Sequence, residues 1–86
     1  MNRNVLVKKI VRFCFECEVF DKSSNQSETE TIVSKRLEDT WFVESLINTI
    51  ITRARTHKKL DVDELKELLI ELEKIRIELE YKDYVA

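Results

Sequence analysis

Two cysteines form the one motif in this chain that metal or redox chemistry could use. Cys14 and Cys17 have the CxxC spacing found in zinc sites and in thiol–disulfide enzymes. A structural zinc site needs four ligands, whereas the sequence adds one histidine and no second cysteine pair. A redox CxxC begins a helix in a fold that contains strands. Both thiols here fall within an apolar stripe, so we predict reduced cysteines in the core, with no metal and no cofactor.

The sequence offers little for catalysis. His57 is the only histidine, and it lies in a basic run with no obvious carboxylate partner. The Glu-x-x-His motif that binds metals in helical bundles is absent. The chain also has no glycine and no proline, where average usage gives about ten. Phosphate-binding loops and nucleophile elbows depend on glycine. Because the chain has none, we predict a protein that is not an enzyme.

One basic cluster could contact phosphate groups. Its members are Arg53, Arg55, His57, Lys58 and Lys59. Cations at a helix C-terminus complement the macrodipole and the free carbonyls there, and this is the simpler interpretation. The alternative is a nucleic-acid patch doubled by dimer symmetry and extended by Lys8, Lys9 and Arg12. Aromatic residues are absent from the cluster, and the formal net charge of −2 argues against a strongly basic nucleic-acid module.

Helices must position these residues, since apolar residues recur at helical spacing along most of the chain. Apolar residues make up 43% and charged residues 37%, a composition typical of helical bundles. We predict one domain, residues 1–86, with an all-α fold: a small antiparallel bundle of three to four helices, completed by dimerisation. The predicted helices cover about 4–20, 27–57 and 62–82. No apolar run is long enough to span a bilayer and no signal peptide is visible, so we expect a soluble, cytoplasmic protein.

Polar side chains supply the predicted helix boundaries. Ser27 with Glu30 and Asp61 with Glu64 have the spacing of capping boxes, and Leu60 with Leu65 adds the spacing of a hydrophobic staple. A single helix over 27–57 would be roughly 45 Å long, which is long for so small a protein. We therefore predict a break near 38–40, with Asp39 or Thr40 as the new N-cap.

The first stretch has two interpretations. Between Val11 and Val19 apolar and polar residues alternate as in a strand, but a helical wheel gathers Lys8, Lys9 and Arg12 on one narrow face. A strand would also need a partner, and the chain offers no second candidate. We predict a helix, and we keep a strand paired across a dimer as the alternative.

Two helix faces could bind a partner. Trp41 shares a face with Ser45 and Asn48, and this face carries no charge over four turns. It packs against the first helix of the same chain, or it binds another protein through tryptophan, a frequent interface anchor. The last helix has a leucine stripe and also a second apolar line, formed by Ile70, Ile77, Tyr81 and Tyr84.

The second line implies a second neighbour, because a helix on the surface of a bundle needs one apolar stripe. The neighbour could be another part of the same chain, if α4 is central in a compact fold. It could also be a partner protein or a second copy of the chain. The first helix shows the same excess of apolar residues. Two helices with such wide apolar arcs in so short a chain favour a homodimer, because the chain is too short to bury both.

Arg76 lies in the centre of the leucine stripe, where we expect a local salt bridge.

These observations favour a small regulatory or inhibitor protein that binds another protein through the sides of its helices. The expected contacts are Trp41, Ser45, Asn48, Ile70, Ile77, Tyr81 and Tyr84. A dimeric nucleic-acid-binding regulator that uses the cluster at 53–59 is the first alternative. A purely structural oligomerisation module is the second.

Overall fold

The computed structural model of the chain describes residues 1–19, 25–56 and 61–85, with the side chains of the last range described up to residue 82. This part of the chain is entirely helical and contains no strand, so the predicted all-α fold of a small helical bundle is confirmed. The alternative of a strand within 11–19 is wrong. The helices are α1 (Arg3–Glu16), α2 (Gln26–Arg36), α3 (Thr40–Thr56) and α4 (Val62–Val85).

The chain divides into two compact units, Met1–Lys35 and Arg36–Ala86. In the first unit, α1 and α2 flank an open cavity of about 420 Å³. In the second unit, α3 packs on α4, and this is the most extensive contact between two helices in the described residues. Only the five residues 57–61 separate these two helices in sequence, as is usual for antiparallel neighbours. A single domain and a dimer both stay predictions.

Helix α1 ends at Glu16, four residues before the predicted end at Phe20. Glu18 takes a left-handed backbone conformation with φ of 58°. The amide of Glu18 donates to the carbonyl of Phe15 at 3.2 Å, and the amide of Val19 donates to that of Cys14 at 2.8 Å. These two bonds form a Schellman motif, which usually has glycine at the left-handed position. The sequence pattern missed this end because glutamate occupies that position.

The apolar arc of α1 is buried within the chain itself. Its buried side chains cover nearly half of the helix circumference and include Leu6, Val7, Ile10, Val11, Phe13 and Cys14. Lys8 and Arg12 lie on the exposed side. The wide apolar arc of α1 therefore needs no second copy of the chain to cover it. The prediction of a dimer now depends only on the second apolar line of α4.

Helix α2 begins two residues earlier than the predicted capping box requires. Asn25 is the N-cap, since its Oδ1 accepts a hydrogen bond from the amide of Glu28 at 3.2 Å. Ser27 lies inside the first turn, so its prediction as the N-cap is wrong. Asparagine and serine cap helices about equally well, and the sequence alone did not separate the two positions. Only Val33 of this helix is buried.

The predicted break near 38–40 is confirmed, with Asp39 as the N-cap of α3. The Oδ1 atom of Asp39 accepts hydrogen bonds from the amides of Trp41 at 3.0 Å and Phe42 at 3.4 Å. Leu37, between the two helices, is fully buried. The guanidinium of Arg36 lies 5.8 Å from the ring centroid of Phe42, within cation–π range. The break thus has an apolar anchor and a polar cap.

Helix α4 begins at the predicted cap. The Oδ1 atom of Asp61 accepts hydrogen bonds from the amides of Asp63 at 3.0 Å and Glu64 at 3.3 Å. Leu60, the other half of the predicted staple, lies outside the described residues. The core of this unit takes Val43, Leu46 and Ile50 from α3, and Leu68, Leu72 and Ile75 from α4.

Candidate functional site

The second apolar line of α4 lies open to solvent. Ile70 is 56% exposed, Ile77 55% and Tyr81 69%. Helix geometry puts Ile70 and Ile77 about 20° apart and puts Leu72 about 200° from Ile70 around the axis. The three exposed residues, which we call the outer line, therefore lie opposite the buried leucine stripe. The interpretation that a compact fold covers this line does not hold for these three residues. The fourth predicted member of the line is Tyr84, whose side chain lies outside the described residues.

Trp41 is also exposed, at 69%. It lies in the first turn of α3, and Asn48 and Thr52 follow it on the exposed side of that helix. Ser45 is half-buried at the border of this face. The indole is open to solvent and not packed within the chain, contrary to the interpretation in which this face is covered internally. Trp41 is thus a second exposed aromatic residue within the unit that contains the outer line.

Arg76 pairs with two carboxylates of its own helix, as expected. Its Nη1 donates to Glu80 Oε1 at 2.7 Å, its Nε donates to Glu73 Oε1 at 3.0 Å, and its Nη2 donates to the same Glu73 oxygen. These hydrogen bonds lower the pKa of Glu73 and raise the pKa of Arg76. Two carboxylates thus neutralise the guanidinium. It lines an open groove with Glu44, Ile47 and Asn48 of α3, and this groove carries no uncompensated positive charge for an anion.

The two described arginines of the basic cluster do not share a face. Arg53 and Arg55 are both exposed in the last turn of α3, but two residues along a helix turn through about 200°. Their position suits the negative end of the helix dipole. His57, Lys58 and Lys59 lie outside the described residues. A nucleic-acid patch on this cluster stays a prediction, without support from the geometry of its two arginines.

Three basic residues of α1, predicted as an extension of that patch, lie in the first unit. Lys8, Lys9 and Arg12 line a small open cavity of about 230 Å³ together with Glu30 of α2. Arg12 Nε also lies 3.8 Å from Glu16 Oε1. Acidic side chains on both helices thus face this basic group, and its charge is partly compensated inside the unit.

The cysteines are core residues, as predicted. Cys14 and Cys17 are both buried, and neither forms a disulfide bond. Burial raises the pKa of the Cys14 thiol to about 12, with a further contribution from Cys17. A thiol is a nucleophile and a metal ligand as the thiolate, and Cys14 stays protonated at neutral pH. Across the described residues no group of three or more His, Cys, Asp or Glu side chains could hold a metal ion.

Comparison with known proteins gives this chain no relative: no family model, no curated protein and no solved structure matches it. None of the helices that the structure describes has both the length and the apolar character needed to cross a membrane. Sequence reasoning found the outer line and Trp41, but it missed Ile32 of α2 and Val62 of α4, which are isolated exposed apolar residues.

Proposed function

We propose that this chain is a small non-enzymatic regulatory or inhibitor protein that acts by binding another protein through the exposed faces of α3 and α4. One observation carries the proposal: the outer line presents three large apolar side chains, each more than half exposed, opposite a stripe whose centre, at Leu68, Leu72 and Ile75, is buried. The cytoplasmic location predicted from the sequence belongs to the same proposal.

The outer line contributes nothing to the core of its own unit, because Leu68, Leu72 and Ile75 already bury the inner side of α4. Isolated exposed apolar residues are common on soluble proteins, whereas an ordered row of them marks a surface that binds something. Tyr81 and Trp41 belong to the residue types enriched among binding hot spots. The outer line is therefore the primary contact in this proposal, and Trp41 is the second.

The same line could instead join two copies of the chain, which would make the protein a homodimer or an oligomerisation module. The nucleic-acid alternative uses other residues, the cluster from Arg53 to Lys59. It has less support, because Arg53 and Arg55 point to different sides of α3. The two alternatives differ from the main proposal in what binds and in which substitution abolishes binding.

A matched pair of substitutions tests the proposal. Ile77→Lys and Ile32→Lys introduce the same charge at two isoleucines of nearly equal exposure, 55% and 56%, on different helices. Each variant and the original chain are used to capture partners from the native host's lysate, with and without nuclease treatment. We expect a protein partner that survives nuclease, is retained by Ile32→Lys, and is bound at least about tenfold less by Ile77→Lys, since a desolvated charge at a binding hot spot costs about 2 kcal/mol or more.

Circular dichroism controls for folding, and we expect both variants to stay helical because both sites are exposed. A partner retained equally by both variants would contradict a role for the outer line. Nucleic acid in the eluate, lost on nuclease treatment, would favour the nucleic-acid alternative. Sedimentation equilibrium of the purified chain covers the remaining case: a dimer mass that Ile77→Lys reduces to a monomer mass means that a second copy occupies the line.

A further inference from the structure

We propose that the outer line of α4 binds an amphipathic helix of a partner protein, and that basic residues follow one edge of that partner's apolar stripe. This inference rests on the proposed function and names the chemistry of its partner.

Helix α4 is the acidic part of the molecule. It contains eight acidic and four basic residues, a formal charge of −4, whereas the whole chain has a formal charge of −2. Two of the four bases are already paired within the helix: Arg76 with Glu73 and Glu80, and Lys74 with Glu71 at 3.4 Å. A partner that packs along α4 therefore meets an excess of negative charge.

This excess lies on one side of the outer line. Within about 100° of Ile70 around the axis, one edge of the exposed face carries four acidic residues and a single base, and we call it the acidic edge: Asp63, Glu67, Glu71, Lys74 and Glu78. Glu64 and Lys82 lie just beyond this edge, and their charges cancel. The opposite edge carries Lys66, Glu73 and Glu80 within the same range. We call it the balanced edge, because Arg76, just beyond it, pairs with both glutamates. Residues beside the apolar seam of two packed helices decide partner and orientation through their charges. The charge asymmetry of α4 therefore favours a partner whose basic residues lie along the edge that faces the acidic edge.

The dimensions fit a helix as the partner. The outer line extends about 16 Å from Ile70 to Tyr81, and the acidic edge extends about 22 Å from its first to its last residue. Together they span about 27 Å, from Asp63 to Tyr81, and a helix of about five turns covers this length. An amphipathic helix laid on an apolar helix face is a recurrent mode of protein recognition.

A second copy of α4 fits this surface poorly. Two-fold symmetry in an antiparallel pair places the same edge of each helix side by side, so the acidic edge would face itself. In a parallel pair the acidic edge would face the balanced edge, where Arg76 is already held by Glu73 and Glu80. Neither arrangement compensates the acidic edge, and a foreign helix with basic residues does.

Two synthetic peptides test this inference. Each is an alanine-based helix of about 18 residues, long enough to cover both features, with a leucine stripe of the same spacing as the outer line. One peptide has lysines along one edge of the stripe, and the other has glutamates at the same positions. We expect the lysine peptide to bind the full chain at least about tenfold more tightly at low salt, and we expect this ratio to shrink as salt screens the charges.

Variants of the full chain assign the effect to the two features. Ile77→Ser should abolish binding of the lysine peptide. The double change Glu67→Gln with Glu78→Gln should lower the ratio between the two peptides several-fold, since each exposed pair contributes about 0.2–1 kcal/mol. The matched control, Glu38→Gln with Glu44→Gln, removes the same charge from exposed positions off this face and should leave the ratio unchanged.

Three results would overturn the inference: equal affinity for the two peptides, no binding of the lysine peptide at about 1 mM, which corresponds to about −4 kcal/mol, or a ratio that the Glu38 and Glu44 control changes equally. These failures are separable from failure of the proposed function. A protein partner lost on Ile77→Lys, combined with equal peptide affinities, leaves the proposed function standing and rejects only the basic helix. A partner that is indifferent to Ile77→Lys rejects both.

Discussion

Cys14 shows how its surroundings decide what a side chain can do. The CxxC spacing is compatible with zinc binding or disulfide exchange, but both reactions use the thiolate, which is the form that burial disfavours at Cys14. Burial in α1 holds the pKa of Cys14 near 12. The same logic applies to Arg76, which lies in the leucine stripe and whose two carboxylate partners form the expected local salt bridge.

The raised pKa of Cys14 predicts a loss of stability in alkali. An unfolded thiol ionises near its ordinary pKa of 9.0, whereas the folded one stays protonated up to about 12. Ionisation therefore stabilises the unfolded chain between these values, by up to about 1.4 kcal/mol per pH unit. Urea unfolding at pH 8, 9.5 and 11 should show a steeper fall in the original chain than in Cys14→Ala. Parallel pH profiles for the two proteins would contradict this.

At the scale of the element, helix type and approximate position follow from the spacing of apolar residues, and the caps follow from the polar residues between them. Asp39 and Asp61 cap the helices at predicted positions. Asp39 competed only with its neighbour Thr40. Asp61 is distinguished from Asp63 by its capping-box spacing to Glu64 and by the staple spacing of Leu60 and Leu65. The start of α2 and the end of α1 were predicted less well. Two capping candidates, Asn25 and Ser27, lie near the first, and a left-handed glutamate closes the second.

The start of α2 can be tested with a matched pair of substitutions. Asn25→Ala removes the Oδ1 atom that accepts the amide of Glu28 and should lower the free energy of unfolding by about 1 kcal/mol. Ser27→Ala, inside the first turn, should change it by less than about 0.5 kcal/mol. Chemical denaturation followed by circular dichroism measures both. A larger loss for the serine variant would restore the capping box that the sequence suggested.

At the scale of the whole molecule, composition and periodicity establish an all-helical protein, and they identify two apolar sides on α4. They cannot establish which side is buried in the chain, because both sides carry large apolar residues at helical spacing. The structure resolves this at Leu72, which is fully buried, and at Ile77, which is 55% exposed. Helix α1 shows that an excess of apolar residues does not by itself predict an exposed face, since its wide apolar arc is buried within the chain.

This difference between the two sides of α4 is measurable as stability. Leu72→Ala should lower the free energy of unfolding by about 2–5 kcal/mol, because it removes a methyl-rich side chain from the core and leaves a cavity. Ile77→Ala, on the opposite side of the same helix, should lower it by less than about 1 kcal/mol. Thermal and urea unfolding of the two variants give the comparison. Similar losses at both positions would mean that the outer line is also covered in solution.

The left-handed residue that ends α1 has a consequence for engineering this chain. A non-glycine residue in that conformation costs about 1–2 kcal/mol, and Glu18 bears this cost in a sequence that contains no glycine. Codons for glutamate and glycine differ by one base, so a single point mutation reaches the residue that the turn prefers. Replacing Glu18 with glycine is therefore expected to raise thermal stability without changing the core or the exposed apolar residues of α3 and α4.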